Sequence, residues 1–184
     1  MSESTSAKWS LPKTGAVAAL TVLTWVGTMF VRIPIPATTG YFNLGDIFII
    51  LAGLLLGGIP GFIVGAVGST LADAIGYPQF IPATFVTKGC EGLICGLVGG
   101  GVINRNIFRK WAGAFSGAAT MVGGYFVFEA FVYPWLAQWV PFFKVTTFAE
   151  AIVEILPNSI QGTIGAITGV GLWKAMAGIT KRRQ

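Results

Sequence analysis

The sequence predicts an all-α integral membrane protein, a single bundle of six transmembrane helices. Hydrophobic residues make up 54% of the 184-residue chain, charged residues only 10%, and the mean hydropathy is +0.74. Soluble domains carry about 25% charged residues. The few charges of this chain therefore cannot cover a water-exposed surface. Apolar runs of membrane-spanning length also recur along the chain. We predict one membrane domain over residues 14–180, between a cytoplasmic tail at 1–13 and a basic tail at 181–184.

Six apolar runs are predicted to cross the membrane, over residues 14–30, 44–56, 60–75, 82–103, 111–132 and 148–177. Prolines and a glycine make residues 33–42 an ordered loop. Asn43 is predicted as the N-cap of the second helix, with Asp46 near its positive end. Residues 133–145 are predicted as an aromatic loop. Pro157 is expected to kink the sixth helix or mark an irregular start.

The lysines and arginines predict the orientation in the membrane, because cytoplasmic loops are enriched in these residues. With six spans both termini lie on one side, together with Lys8, Lys13, Arg105, Arg109, Lys110, Lys174, Lys181, Arg182 and Arg183. Arg32 and Lys144 lie on the other side. We therefore expect a protein of the bacterial plasma membrane with both termini in the cytoplasm.

Several chemistries are excluded or disfavoured by what the sequence lacks. It has no histidine, which excludes Ser-His-Asp and Cys-His nucleophiles and disfavours a zinc site. Cys90 and Cys95 are predicted as buried free thiols. The chain has no P-loop motif, so energy for uphill transport must come from a partner or an ion gradient. No aromatic residues alternate with the basic residues, so nucleic acid is not expected as a partner.

Polar side chains within the spans carry the functional signal, because such residues are costly in lipid and usually face a cavity or a partner. On the predicted topology they lie near the outer ends of four helices, below two aromatic loops. This arrangement predicts an outward-facing pocket for a small polar or aromatic solute. We expect no catalytic residue and no metal ligand. The predicted substrate-binding residues are Tyr41, Phe42, Asn43, Asp46, Lys88, Glu91, Tyr125, Glu129, Glu154, Asn158 and Gln161.

Some of these signals also allow a structural explanation. Lys88 and Glu91 are neighbours on one helix face and are capable of forming an ion pair that only fixes packing. Asp73 is expected at a helix end, in a structural role. Small-residue stripes in later helices are expected to pack inside the bundle, which lets membrane helices approach closely. The stripe of Gly15, Ala16 and Ala19 equally allows internal packing and contact with a partner protein.

Four sequence motifs resemble the substrate-binding S components of energy-coupling-factor (ECF) vitamin transporters, in their riboflavin-type branch. They are VRIPIP at 31–36, GYFNLGD at 40–46, GSTLAD at 68–73 and KGCEGL at 88–93. The resemblance implies that the chain captures a vitamin from outside, at a site formed by the loop after span 1 and by spans 4 to 6. It also implies that small residues of span 1 contact a transmembrane coupling protein resting on two cytoplasmic ATPases. ATP is then used by the partners, and this chain binds no cofactor.

The predicted function is therefore a high-affinity vitamin-binding S component of an ECF-type importer. Pyridoxine or hydroxymethylpyrimidine is the preferred ligand, because the pocket offers carboxylate, carboxamide and lysine groups to ring nitrogens and hydroxyls. Riboflavin, pantothenate and cobalamin remain open. The alternative is an intramembrane enzyme in which Glu91, paired with Glu129 or Glu154, supplies acid and base. A vitamin that co-purifies intact distinguishes the first function from the second.

Overall fold

The computed structural model describes residues 10–36, 38–101, 105–143 and 146–181, with side chains described as far as residue 177. The helices are α1 Leu11–Phe30, α2 Asp46–Leu56, α3 Gly58–Asp73, α4 Ile81–Gly99, α5 Ile107–Val127, α6 Tyr133–Leu136 and α7 Phe148–Lys181. A π-helical segment, Phe128–Val132, joins α5 to α6, and short 3₁₀ turns occupy Pro78–Phe80 and Pro141–Phe143. The predicted all-α membrane bundle is confirmed.

A small β-hairpin is the one departure from all-α structure in the described ranges. Strands β1, Ile33–Pro34, and β2, Tyr41–Phe42, pair antiparallel, with Ile33 opposite Phe42. They lie within the loop that the prolines at 34 and 36 predicted. Most of the two predicted tails, together with Lys8, Lys144, Arg182 and Arg183, lies outside the described residues.

Three helical stretches are long and apolar enough to cross a bilayer: Leu11–Phe30, Pro78–Gly99 and Ile107–Leu136. The helices α2 and α3 are equally apolar but shorter. In the centre of the bundle α2 packs against α3, α4 and α7. Its side chains Ile49, Ile50 and Leu54 have no exposed surface, so α2 supplies the middle of the core.

Small residues bring α3 and α4 into backbone contact, as predicted for the later stripes. A Cβ atom added at Gly61 would overlap the backbone of Gly92, and one added at Gly92 would overlap Gly61. Both positions therefore require glycine if the two helices are to approach this closely.

Several local predictions are wrong. Asn43 is not the N-cap of α2, because Gly45 takes that position and the Asn43 side chain accepts from the Gly45 amide at 2.9 Å. Asp46 does lie in the first turn, as predicted. Helical structure continues through Leu136, so the loop after span 5 is shorter than predicted. Pro157 lies inside α7, nine residues after its first residue, so it does not mark an irregular start of this helix.

Two further side chains differ from their predicted environments. Cys95 is a buried free thiol as predicted, but Cys90 is only half-buried, because residues five apart point to different faces of a helix. Lys110, which is predicted on the cytoplasmic side, has no exposed surface. Its Nζ donates to the carbonyl oxygens of Leu54, at 2.9 Å, and Gly101.

Candidate ligand-binding site

A cavity lies at one end of the bundle, where α1, α3 and α5 end and where α4 and α7 begin. Consecutive helices run in opposite directions, so polar residues far apart in the sequence meet at this end. The cavity is lined by Thr28, Gly40, Tyr41, Asn43, Ser69, Asp73, Phe80, Thr84, Lys88, Tyr125, Glu129, Glu154, Asn158 and Gln161.

The β-hairpin covers the cavity and is tied to α7 by two backbone amides. The Gly40 amide donates to a carboxylate oxygen of Glu154 at 3.2 Å, and the Asn43 amide donates to the Gln161 side-chain oxygen at 2.7 Å. A Cβ atom at Gly40 would overlap the Glu154 carboxylate, so a larger residue here would have to displace that side chain. Side chains on one face of α7 thus hold the hairpin and line the cavity together.

Arg32 fixes the other side of the hairpin to the end of α3. Its guanidinium donates to the carbonyl oxygen of Ile75 at 2.8 Å and to that of Ala72. The guanidinium carbon lies 5.2 Å from the ring centroids of both Tyr41 and Tyr77, a cation–π arrangement. Arg32 therefore caps a helix C-terminus and orders two aromatic rings beside the cavity.

Tyr41 joins the hairpin directly to an acidic residue of α3. Its hydroxyl donates to Asp73, which lines the cavity and is buried. Burial, and then the neighbouring Asp73 carboxylate, raise the pKa of Tyr41, so the phenol stays protonated and remains a donor. The structural role predicted for Asp73 is therefore incomplete, because this side chain also belongs to the cavity wall.

Behind the cavity wall lies a buried group of charges. The Lys88 ammonium contacts Asp46, its nearer partner, and lies 3.5 Å from a Glu91 oxygen. The predicted Lys88–Glu91 ion pair is thus present. The Gln161 amide donates to Asp46 at 2.9 Å, which connects this group to the hairpin. Asp46 and Glu91 do not line the cavity themselves. They contact residues that do, since both pair with Lys88 and Asp46 also accepts from Gln161.

An aromatic ring and a hydroxyl group lie on the cavity side of Lys88. The Tyr125 hydroxyl lies 3.1 Å from the Thr84 hydroxyl, in hydrogen-bond contact. The Lys88 ammonium lies 5.6 Å from the Tyr125 ring centroid. The cavity therefore presents an aromatic face beside its only lysine among the lining residues.

Glu129 enters the cavity from the π-helical segment Phe128–Val132. The wider turn of a π-helix shifts a side chain away from the regular helical position, and such segments are frequent at functional sites. The Glu129 backbone oxygen accepts from the Thr146 hydroxyl at 3.1 Å. Glu129 and Glu154 both line the cavity, and one carboxyl oxygen of Glu129 is buried without a hydrogen-bond partner among the described residues.

The structure brings together most of the predicted binding residues. Tyr41, Asn43, Lys88, Tyr125, Glu129, Glu154, Asn158 and Gln161 line the cavity, whereas Phe42, Asp46 and Glu91 do not. Sequence reasoning missed Thr28, Gly40, Ser69, Asp73, Phe80 and Thr84. Serine and threonine are common in membrane helices, so Thr28, Ser69 and Thr84 gave no signal in the sequence.

Comparison with known proteins agrees on one family. The family model of the ECF-type riboflavin transporter S component matches residues 8–178. An uncharacterized protein of Pyrococcus woesei is 40% identical over 147 residues, covering 80% of this chain and 89% of that protein. The thiamine precursor transporter HmpT of Lactococcus lactis subsp. cremoris (strain MG1363) is 27% identical over 160 residues, covering 86% of this chain and 83% of that protein.

A solved structure shares the fold. The S component of a bacterial ECF transporter superposes with a TM-score of 0.71, covering 92% of this chain and 98% of that one. At 19% identity this likeness shows the fold alone. The family model spans nearly the whole chain, including every residue that lines the cavity. The chain therefore belongs to the family of ECF-type riboflavin transporter S components.

Proposed function

We propose that this S component captures a single-ring nitrogen heterocycle, hydroxymethylpyrimidine or pyridoxine, and delivers it to an ECF coupling protein. The observation that carries the proposal is the chemistry of the covered cavity. Its walls combine an amide, carboxyl groups and hydroxyls with an aromatic face, and these groups complement ring nitrogens, amino groups and alcohols.

The charge balance of the cavity favours a neutral or cationic ligand. Asp73, Glu129 and Glu154 line it, and Lys88 is already engaged by Asp46 and Glu91. An anionic vitamin such as pantothenate would therefore meet carboxyl groups without a free cation to pair with, which is unfavourable.

Among the remaining vitamins, hydroxymethylpyrimidine has one further support. It is the pyrimidine portion of thiamine, and a relative 27% identical to this chain is named as a thiamine precursor transporter. Riboflavin is the second candidate, because the matching family model carries its name.

Family membership decides between the two functions that the sequence left open. S components are subunits of transporters that bind a small vitamin and associate with an ECF module. The alternative of an intramembrane enzyme using paired carboxylates is wrong.

The partner surface that we propose lies on α1. A Cβ atom added at Gly15 would have no described atom of another segment within 4 Å, Ala19 is exposed, and Ala16 is half-buried. The exposed small residues Gly15 and Ala19 on this strip suit close approach by a partner helix. We propose that the partner is the transmembrane coupling protein, with two cytoplasmic ATPases as its energy source. This chain then needs no cofactor of its own.

We also propose six passes through the plasma membrane, with both termini cytoplasmic and the cavity facing outward. Arg105 and Arg109 lie at the opposite end of the bundle from the cavity, in the connection from α4 to α5 and the first turn of α5. Basic residues collect on the cytoplasmic side, so the cavity end then faces outward.

The proposed ligand is tested by titrating the purified protein calorimetrically with hydroxymethylpyrimidine, pyridoxine, riboflavin, pantothenate and cobalamin. Native mass spectrometry of the protein as purified identifies any vitamin that it carries. We expect tight binding of hydroxymethylpyrimidine or pyridoxine and none of pantothenate. Binding of riboflavin alone would replace the proposed vitamin, and binding of none would reject the vitamin-capture function.

A further inference from the structure

Two hydroxyl groups in the cavity wall make no hydrogen bond within the described part of the protein. Thr28 of α1 and Ser69 of α3 each retain only 1% of their accessible surface, and both line the cavity. Neither hydroxyl has a hydrogen-bond partner within the described part of the chain. Both belong to helices that the family resemblance does not place in the vitamin site.

Other hydroxyls in these helices behave differently. Thr21, Thr120 and Thr163 each donate to the carbonyl oxygen four residues earlier, at 2.8 Å. This local bond is the usual way for a hydroxyl to be satisfied within a membrane helix. Thr28 and Ser69 do not make it. Burying an unpaired hydroxyl is unfavourable, and native proteins pair nearly all such groups. Thr28 and Ser69 also line the cavity, so a ligand in the cavity is able to supply the missing partner.

We propose that Thr28 and Ser69 form a subsite for an alcohol group of the ligand, an inference that rests on the proposed function. A hydroxyl both donates and accepts, so one alcohol is able to bond with both side chains at once. A carboxylate or phosphate is disfavoured here, because Asp73 lies one helical turn beyond Ser69 and lines the same cavity. The hydroxymethyl group of hydroxymethylpyrimidine is such an alcohol.

The chain offers a matched control for Thr28. Thr24 lies one turn earlier on α1, has no exposed surface, and also has no hydrogen-bond partner in the described ranges. It does not line the cavity. Thr24→Val therefore replaces a hydroxyl by a methyl group on the same face of α1 as Thr28→Val does, but at a position that does not line the cavity.

The test is calorimetric titration of the wild type and of Thr28→Val, Ser69→Ala and Thr24→Val. The two ligands are hydroxymethylpyrimidine and its analogue with a methyl group in place of hydroxymethyl. We expect Thr28→Val and Ser69→Ala each to weaken binding of hydroxymethylpyrimidine about tenfold, from the loss of one buried hydrogen bond. Their affinity for the methyl analogue should equal that of the wild type. Thr24→Val should bind both ligands as the wild type does.

The ligand-free melting temperature separates this role from a structural one. Because the removed hydroxyls are unpaired, the ligand-free variants should melt no lower than the wild type, and only the rise produced by the ligand should shrink. Equal losses for both ligands, or unchanged affinities, would overturn the subsite while leaving vitamin capture intact. A wild type that binds neither ligand would overturn hydroxymethylpyrimidine as the vitamin and, with it, the subsite.

Discussion

Lys88 is buried beside two carboxylates, and the buried charges compensate one another only while all three groups are present. Asp46 is its nearer partner, and Glu91 lies 3.5 Å away on the same helix. Charges this deep are costly unless they are paired, and removal of one partner leaves the others uncompensated. The lysine therefore stabilises the bundle as well as lining the cavity.

Lys88→Met should lower the melting temperature of the ligand-free protein strongly. Stranding two buried carboxylates costs about 3–5 kcal/mol of unfolding free energy. The triple variant that adds Asp46→Asn and Glu91→Gln should recover part of this loss, because it removes the charges together. Thermal unfolding in detergent measures both. A Lys88→Met protein as stable as the wild type would show that the carboxylates are not stabilised by this lysine.

Asn158→Leu should weaken vitamin binding roughly tenfold to a hundredfold with little change in melting temperature. An amide that bonds a heterocycle contributes about 1–3 kcal/mol, and leucine is compatible with the membrane interior. Thr163→Leu is the control, because Thr163 is on the same helix but exposed. Titration calorimetry gives the affinities. Unchanged affinity in folded Asn158→Leu would remove this part of α7 from the binding site.

At the scale of elements, the hairpin depends on bonds to two helices, α3 and α7. Tyr41→Phe should remove its bond to Asp73 while keeping the ring between Arg32 and Tyr77. A hydrogen bond to a charged group contributes about 1.5–3 kcal/mol, so the hairpin should open more often. Hydrogen exchange of the Gly40 and Asn43 amides should accelerate, while exchange in α2 stays unchanged. Equal acceleration throughout the chain would indicate global destabilisation instead.

The exposed small-residue strip of α1 should matter for transport and not for capture. Ala16→Trp or Ala19→Trp should abolish vitamin uptake by cells, because a bulky side chain prevents close approach of a partner helix. Binding by the isolated protein should persist. Ala119→Trp is the control, since Ala119 is also an exposed alanine but lies on α5. Loss of binding together with uptake would assign the strip to internal packing.

At the scale of the whole molecule, the proposed orientation has a direct test. Thr39, in the hairpin loop, and Arg105, before α5, are both exposed and lie at opposite ends of the bundle. Thr39→Cys should react with a membrane-impermeant thiol reagent in intact cells, whereas Arg105→Cys should react only after the cells are opened. The wild type measures background labelling of its own cysteines. Labelling of both positions from outside would contradict the six-pass topology.

The sequence was sufficient to predict the helical bundle and many of the residues that line the cavity, because both depend on simple physical signals. Apolar runs define helices in lipid, and ionisable residues within them are too costly to be incidental. Asp73 and Ser69 were not predicted as cavity residues. Their place in the cavity depends on how α3 packs against its neighbours and on the hairpin crossing over it, and such long-range contacts leave no local pattern. The π-helical turn that carries Glu129 likewise has no signal in the residue types.

The unequal lengths of the helices have a consequence for the surrounding lipid. At 1.5 Å per residue, α3 is about 24 Å long and α7 about 51 Å, against a hydrocarbon core of about 30 Å. One flank of the protein is therefore too short for an ordinary bilayer, and another is too long. Hydrophobic mismatch of this kind is accommodated by thinning the bilayer on one side and by tilt of the long helix on the other. The short side carries exposed Val67 and Leu71, so acyl chains there must bend towards the protein, and membrane thickness becomes a determinant of its stability.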